Sequence, residues 1–197
     1  LSSGDPCVTL SRRRFGQLGL AAGLTGLIAP QIASARDDEL TAMPAGAQPI
    51  SPLEHEARIA RAQVLMQEQG IDALVLEAGS ALVYFTGIRW WRSERFTGVV
   101  IPVEGMPTVV TPYFEEPSVR ESVKVDIDVR TWHEHESPFA LVAGILSDAG
   151  LSEGKVAIEE TVRHFISDGI AQAAPSFEMV SGCLLYTSDA ADEVSCV

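Results

Sequence analysis

Between Ser51 and Gly182, short apolar runs alternate with amphipathic stretches, and the spacing predicts strands alternating with helices. Ser51-Pro52-Leu53-Glu54 carries the signals of a helix start: a serine cap, a proline for the first turn and a glutamate that can complete a capping box. Leu53, Ala57, Ala60 and Val64 then fall on one face and are expected in the core, while Glu54 and Arg58 pair on the other. Gly70 ends the helix. Ala73 to Leu76 reads as a buried strand, Phe96 to Val103 as a second and Thr108 to Thr111 as a third, the last two joined by a tight turn at Glu104-Gly105-Met106-Pro107. Pro112 and Pro117 bracket a loop leading to a short helix that ends near Ser122. Asp128 to Trp132 is a strand. Ser137-Pro138 opens a helix with Phe139, Val142, Ile145 and Leu146 inward, closed by Gly150. A strand from Lys155 to Ile158, a helix from Thr161 to Gln172 and a strand from Phe177 to Val180 complete the series. The order predicts an α/β domain with a mixed β-sheet flanked by helices on both faces. There is no internal repeat.

The ends of the chain do not share this pattern. Residues 1–35 read as a leader: Ser11-Arg12-Arg13-Arg14-Phe15 resembles a twin-arginine export signal, Leu18 to Ala29 is mildly apolar, and Ala33-Ser34-Ala35 is a small-residue cleavage signal. A membrane anchor is disfavoured because the apolar region is short and rich in glycine. Leu1 is not methionine, so residues 1–10 are treated as possible upstream read-through. Residues 36–50 read as a linker. Residues 183–197 begin CLLYTSDAADE, which resembles the translated adapter of transposon-based DNA library preparation, and they are expected to add nothing to the fold.

Charge narrows the function. The 197 residues carry a formal net charge of −13. Three arginines and one aspartate give the first 35 residues +2, leaving −15 for the remainder. That remainder has no basic surface to neutralise phosphates, so nucleic acid is not an expected partner. The three cysteines, Cys7, Cys183 and Cys196, lie outside the domain and suggest neither a zinc site nor a disulfide framework.

Candidate chemistry concentrates in Val83 to Pro102, VYFTGIRWWRSERFTGVVIP, where Trp90 and Trp91 stand among Arg89, Arg92 and Arg95. Rigid rings beside guanidinium forks suit the rim of a site that grips a carboxylate. The competing reading is a surface loop with one tryptophan packed on the core and solvated arginines. His133-Glu134-His135 places two histidines on one face, without a third ligand at a telling distance, and reads as a solvated loop. Glu159 and Glu160 pair as in acid–base sites, but equally suit the entry to a helix. No GxSxG, HExxH or phosphate-binding glycine loop is present.

YFTG, a short loop, SER and an apolar strand resemble the N-terminal domain of the creatinase, prolidase and aminopeptidase P ("pita-bread") family, with the likeness running from about Ser51 to Gly182. The resemblance implies a protein whose chemistry resides in a following C-terminal domain, with two aspartates, a histidine and two glutamates around two divalent metal ions (Mn, Co or Zn). This chain is expected to lack that domain, to bind no metal and to be inactive alone. The implied parent is an exported Xaa-Pro aminopeptidase or dipeptidase, periplasmic or extracellular, acting on proline-containing peptides as a homodimer or higher oligomer. A creatinase-like C–N hydrolase and a non-catalytic binding or dimerisation module remain alternatives. Laid on creatinase from the YFTG turn, Arg95 falls on an arginine that binds substrate carboxylate in the neighbouring subunit, with Trp90 or Trp91 as the apolar wall. Ser93 replaces an aromatic residue there, which weakens the case for creatine.

In the intact gene, changing Arg12 and Arg13 to lysine is expected to hold the precursor in the cytoplasm. Cell fractionation and blotting check this, and normal appearance of the mature protein outside would refute the export reading.

Overall fold

The computed structural model describes residues 48–183 and residue 185. Arg12, Arg13, Phe15, Ala33 and Ala35, and with them the leader, lie outside the described residues, as do most of the linker and most of the tail. The elements are α1 (Pro52–Gln69), β1 (Ala73–Glu77), α2 (Ser80–Thr86), β2 (Gly98–Pro102), β3 (Thr108–Pro112), a 3-10 turn (Tyr113–Glu115), α3 (Glu116–Ser122), β4 (Asp128–Trp132), α4 (Pro138–Asp148), β5 (Gly154–Ile158), α5 (His164–Ala173) and β6 (Phe177–Ser181).

One six-stranded sheet, in the order β4-β3-β2-β1-β5-β6, organises these elements. β2 runs antiparallel to both neighbours, and every other pairing is parallel. The sheet is covered on both faces, as the alternation predicts. On one face Leu74, Leu76, Val99 and Ile101 pack with α1, α2 and α3. On the other, Val75, Val100, Val110 and Val156 pack with α4 and α5. β1 and β2 are buried at every position, which explains their unbroken apolar sequences.

The caps of α1 form as its sequence dictates. Ser51 Oγ accepts from the Glu54 amide at 3.2 Å, and Gly70, at φ 64°, ends the helix by donating to Gln67 O. Glu54 does not reach back to close a capping box; its carboxylate accepts from Arg58 at 2.7 Å. The inward face is not the expected one. Leu53 is 76% exposed and Val64 43%, and Ala57 and Ala60 are exposed too. The opposite face is buried, with Ile59, Ala62, Leu65 and Met66 beside His55 and Arg58. Polarity misleads here because both polar side chains find partners inside. The His55 ring Nδ1 and Arg58 donate to the Tyr84 carbonyl at 2.8 and 3.3 Å, and the guanidinium lies 4.0 Å from the Tyr84 ring centroid.

Three further expectations are corrected. Tyr84-Phe85-Thr86-Gly87 is not a free turn but the end of α2, a helix too short to show a period. Thr86 Oγ1 donates to Leu82 O at 2.6 Å and accepts from the Ile88 amide at 3.1 Å, and Gly87 caps at φ 73°. α5 begins at His164 rather than Thr161, because the Thr161 hydroxyl is held by the Glu159 carboxylate at 2.7 Å and Arg163 is extended. Packing also does not stop at Gly182: Leu185 is 1% exposed and belongs to the core cluster that includes α1 and α2, since an apolar side chain gains by leaving water.

Gly98 marks the tightest strand approach. A Cβ there would strike the Leu76 carbonyl oxygen and sit 2.8 Å from the Phe96 ring. Gly98→Ala is expected to cost about 1–3 kcal/mol, as overpacking of a close-packed interior does. Gly144, in α4, has open space at its Cβ, and Gly144→Ala should instead stabilise by about 0.5–1 kcal/mol. Thermal midpoints that move the same way for both variants would contradict this packing.

Candidate functional site at the carboxyl edge of the sheet

Because only β2 is reversed, the carboxyl ends of β1, β3, β4, β5 and β6 and the start of β2 meet at one edge. That edge collects the polar residues left by apolar strands, and is where open α/β sheets bind ligands.

At its centre is Glu77, the last residue of β1, only 1% exposed. An isolated carboxylate could not stay ionised there without partners. Arg163 supplies them through Nε at 2.8 Å, Nη2 at 2.5 Å and its backbone amide at 3.1 Å. Arg92 approaches from the other side, with Nε 3.8 Å from Glu77 and 3.0 Å from the Ala78 carbonyl, while its Nη2 donates to Thr161 Oγ1. Thr161 in turn donates to Glu159. The network ties the loop carrying the tryptophans to the ends of β1 and β5 and to the start of α5. None of Glu77, Arg163 or Thr161 stands out as a site residue from sequence; the one available signal is a glutamate closing the apolar run Ala-Leu-Val-Leu.

Next to this network is a cavity of about 530 Å³ lined by Gly79, Ser80, Val83, Arg89, Trp90 and Trp91. Trp90 is half-buried against the core, and Trp91 is 90% exposed. The two tryptophans are thus brought together, with Arg89 as the nearby cation.

Arg95 does not line that cavity. Its guanidinium donates to Glu134 at 2.6 Å and to Glu94, and stands 5.3 Å from the Phe114 ring centroid. The hydrogen bond to Glu134 raises the Arg95 pKa above its ordinary value, with the charges of Glu134, Glu94 and Glu115 adding to it against a smaller loss of hydration. Arg95 is therefore a permanent cation already shared by two carboxylates. Ser93 Oγ fixes its backbone, accepting from the Arg95 amide at 3.1 Å. Beside it, Thr97 and Thr111, both buried, share the Glu115 carboxylate.

His133 and His135 are exposed, as a loop reading implies, with their rings stacked at a centroid distance of 5.7 Å and the Tyr113 ring tilted against His133 at 4.7 Å. Glu159 is buried and engaged by Thr161 rather than free for acid–base work. Among the described residues, no group of three or more His, Cys, Asp or Glu side chains could hold a metal ion. The two ions implied by the resemblance do not fit these residues.

The fold and this edge define a three-layer α/β domain of the creatinase type. The profile of the Creatinase/Prolidase N-terminal domain family matches residues 58–185, and the chain belongs to that family. It is similar to a Mycobacterium bovis protein named "Probable dipeptidase PepE", 32% identical over 94 residues that make up 47% of this chain and 25% of that protein. The chain thus spans about a quarter of the length of that relative. Among solved structures, a dipeptidase from Pyrococcus horikoshii OT3 superposes with TM-score 0.60 at 27% identity, over 68% of this chain and 36% of that one. The N-terminal domain of an Xaa-Pro dipeptidase from Lactobacillus brevis shares the fold, with TM-score 0.55 at 20% identity, over 64% of this chain and 91% of that one.

Glu77→Gln is expected to lower stability by about 1.5–3 kcal/mol, the usual weight of hydrogen bonds to a charged group. Denaturant unfolding checks this. An unchanged midpoint would mean that the network does not hold the edge together.

Proposed function

We propose that this domain is the N-terminal substrate-binding and dimerisation half of an exported Xaa-Pro dipeptidase or aminopeptidase, whose hydrolytic machinery lies in a following domain. The observation that carries the reading is the family match over residues 58–185, joined to the dipeptidase PepE as a relative. The metal ions of such an enzyme would belong to the following domain. This domain would contribute recognition from its carboxyl edge. Trp90 and Trp91 would supply an apolar wall, and Arg95 would exchange one of its glutamate partners for the carboxylate of a peptide in the neighbouring subunit's site. A guanidinium can hold that carboxylate through two parallel hydrogen bonds, which lysine cannot reproduce.

The test uses the gene extended through its natural reading frame. The purified product is expected to cleave Xaa-Pro peptides, and Arg95→Lys to lower kcat/KM about ten- to a hundredfold with the fold intact. Mixing Arg95→Ala subunits with subunits inactivated in the catalytic domain should restore activity, because one site of the mixed dimer escapes both defects. No cleavage of any Xaa-Pro peptide would overturn the peptidase reading, and urea release from creatine would replace it with a C–N hydrolase. Full activity of Arg95→Ala would remove Arg95 from the site.

A further inference from the structure

Arginine is usually paired in this domain. Arg58, Arg92, Arg95, Arg120, Arg130 and Arg163 each have a carboxylate partner. Arg89 is different. It is exposed, and among the described residues it has no hydrogen-bond, ion-pair or ring partner. Arg61 shares that state but lies on α1, whereas Arg89 lines the cavity of about 530 Å³ beside Trp90, Trp91 and Val83. An exposed arginine by itself carries no meaning. One that borders a concave site walled by two tryptophans does, because apolar walls with a few polar groups are how small ligands are held. Trp91, 90% exposed, leaves a large flat ring in water beside that cation.

The neighbouring arginines are committed elsewhere. Arg92 is bound to Glu77, the Ala78 carbonyl and Thr161, which fixes the loop before any ligand arrives. Arg95 stands among Glu94, Glu115 and Glu134, three carboxylates around one cation, so an entering anion meets net negative charge there. At Arg89 it meets a guanidinium that no carboxylate has taken.

We infer that this cavity is a binding site for a carboxylate with a flat apolar body. The body lies against Trp90 and Trp91, and Arg89 takes the carboxylate through two parallel hydrogen bonds. A cationic ligand would be repelled by Arg89, and an uncharged one would leave the guanidinium unused. The site is complete within one chain and separate from Arg95. It therefore goes beyond the peptidase reading, whose carboxylate contact crosses a subunit interface.

N-acetyl-L-phenylalanine, titrated into the full 197-residue chain, is expected to change tryptophan fluorescence saturably, with a Kd on the order of 1 mM. The uncharged amide of the same compound should bind about tenfold more weakly, because it cannot form the charged pair. Arg89→Gln should weaken the acid by that factor and leave the amide unchanged, a selective effect that misfolding would not produce. Trp91→Ala should weaken both. Arg61→Gln, which removes the other unpaired guanidinium, should change neither. Equal binding of acid and amide overturns the proposal, as does a loss on Arg95→Gln in place of Arg89→Gln. So does the absence of a saturable response to the acid, including the case in which the tryptophans respond only to anionic phospholipid vesicles and form a membrane-contact surface. None of these readouts depends on Xaa-Pro cleavage, so the site and the peptidase reading can fail separately.

Discussion

A carboxylate closes a strand that is buried at every position, and its need for counter-charge shapes the edge around it. Glu77 cannot be hydrated, so its oxygens must be met by the protein. Arg163 meets them from the start of α5, and Arg92 from the tryptophan loop. Each arginine thereby anchors a segment with few other reasons to hold its place. Through Thr161 the same network reaches Glu159 and fixes the end of β5 relative to β1. The rigidity of the edge is thus a result of one charge at the end of an apolar run.

Much of the fold was legible because its elements follow simple rules. The caps of α1 and α4, the apolar runs of β1 and β2 and the prolines around α3 carry their structure in local chemistry. What was not legible depends on distant partners. The face of α1 was misassigned because His55 and Arg58 look like surface residues until the carbonyl of Tyr84 is brought beside them. α2 is a single run of seven residues in which aromatic and β-branched side chains imitate a strand.

The site was legible only where composition is unusual. Two adjacent tryptophans drew attention to the loop, and they do meet in a cavity. Arg95 was expected beside them, yet it turns toward Glu134 in the turn that follows β4, a neighbour that only the strand order supplies. The clasp around Glu77 was missed because its partners are 86 residues apart in the chain. Such pairs leave no trace in spacing.

The separation of β1 from β5 also sets an order of events as the chain folds. β1, β2, β3 and β4 follow one another closely and can assemble as soon as they are made. β5 pairs with β1 but arrives about eighty residues later, as the Asp72–Lys155 contact shows with its separation of 83. Non-local pairing of this kind is slow, because the intervening loop must be closed before any contact rewards it. Until then β1 is an edge strand, apolar on both faces, with a row of open hydrogen-bonding groups. That is the geometry from which chains aggregate. The half-synthesised domain therefore exposes the centre of its mature sheet from the emergence of Glu77 until that of Ile158, after which only the outer edge of β5 waits for β6.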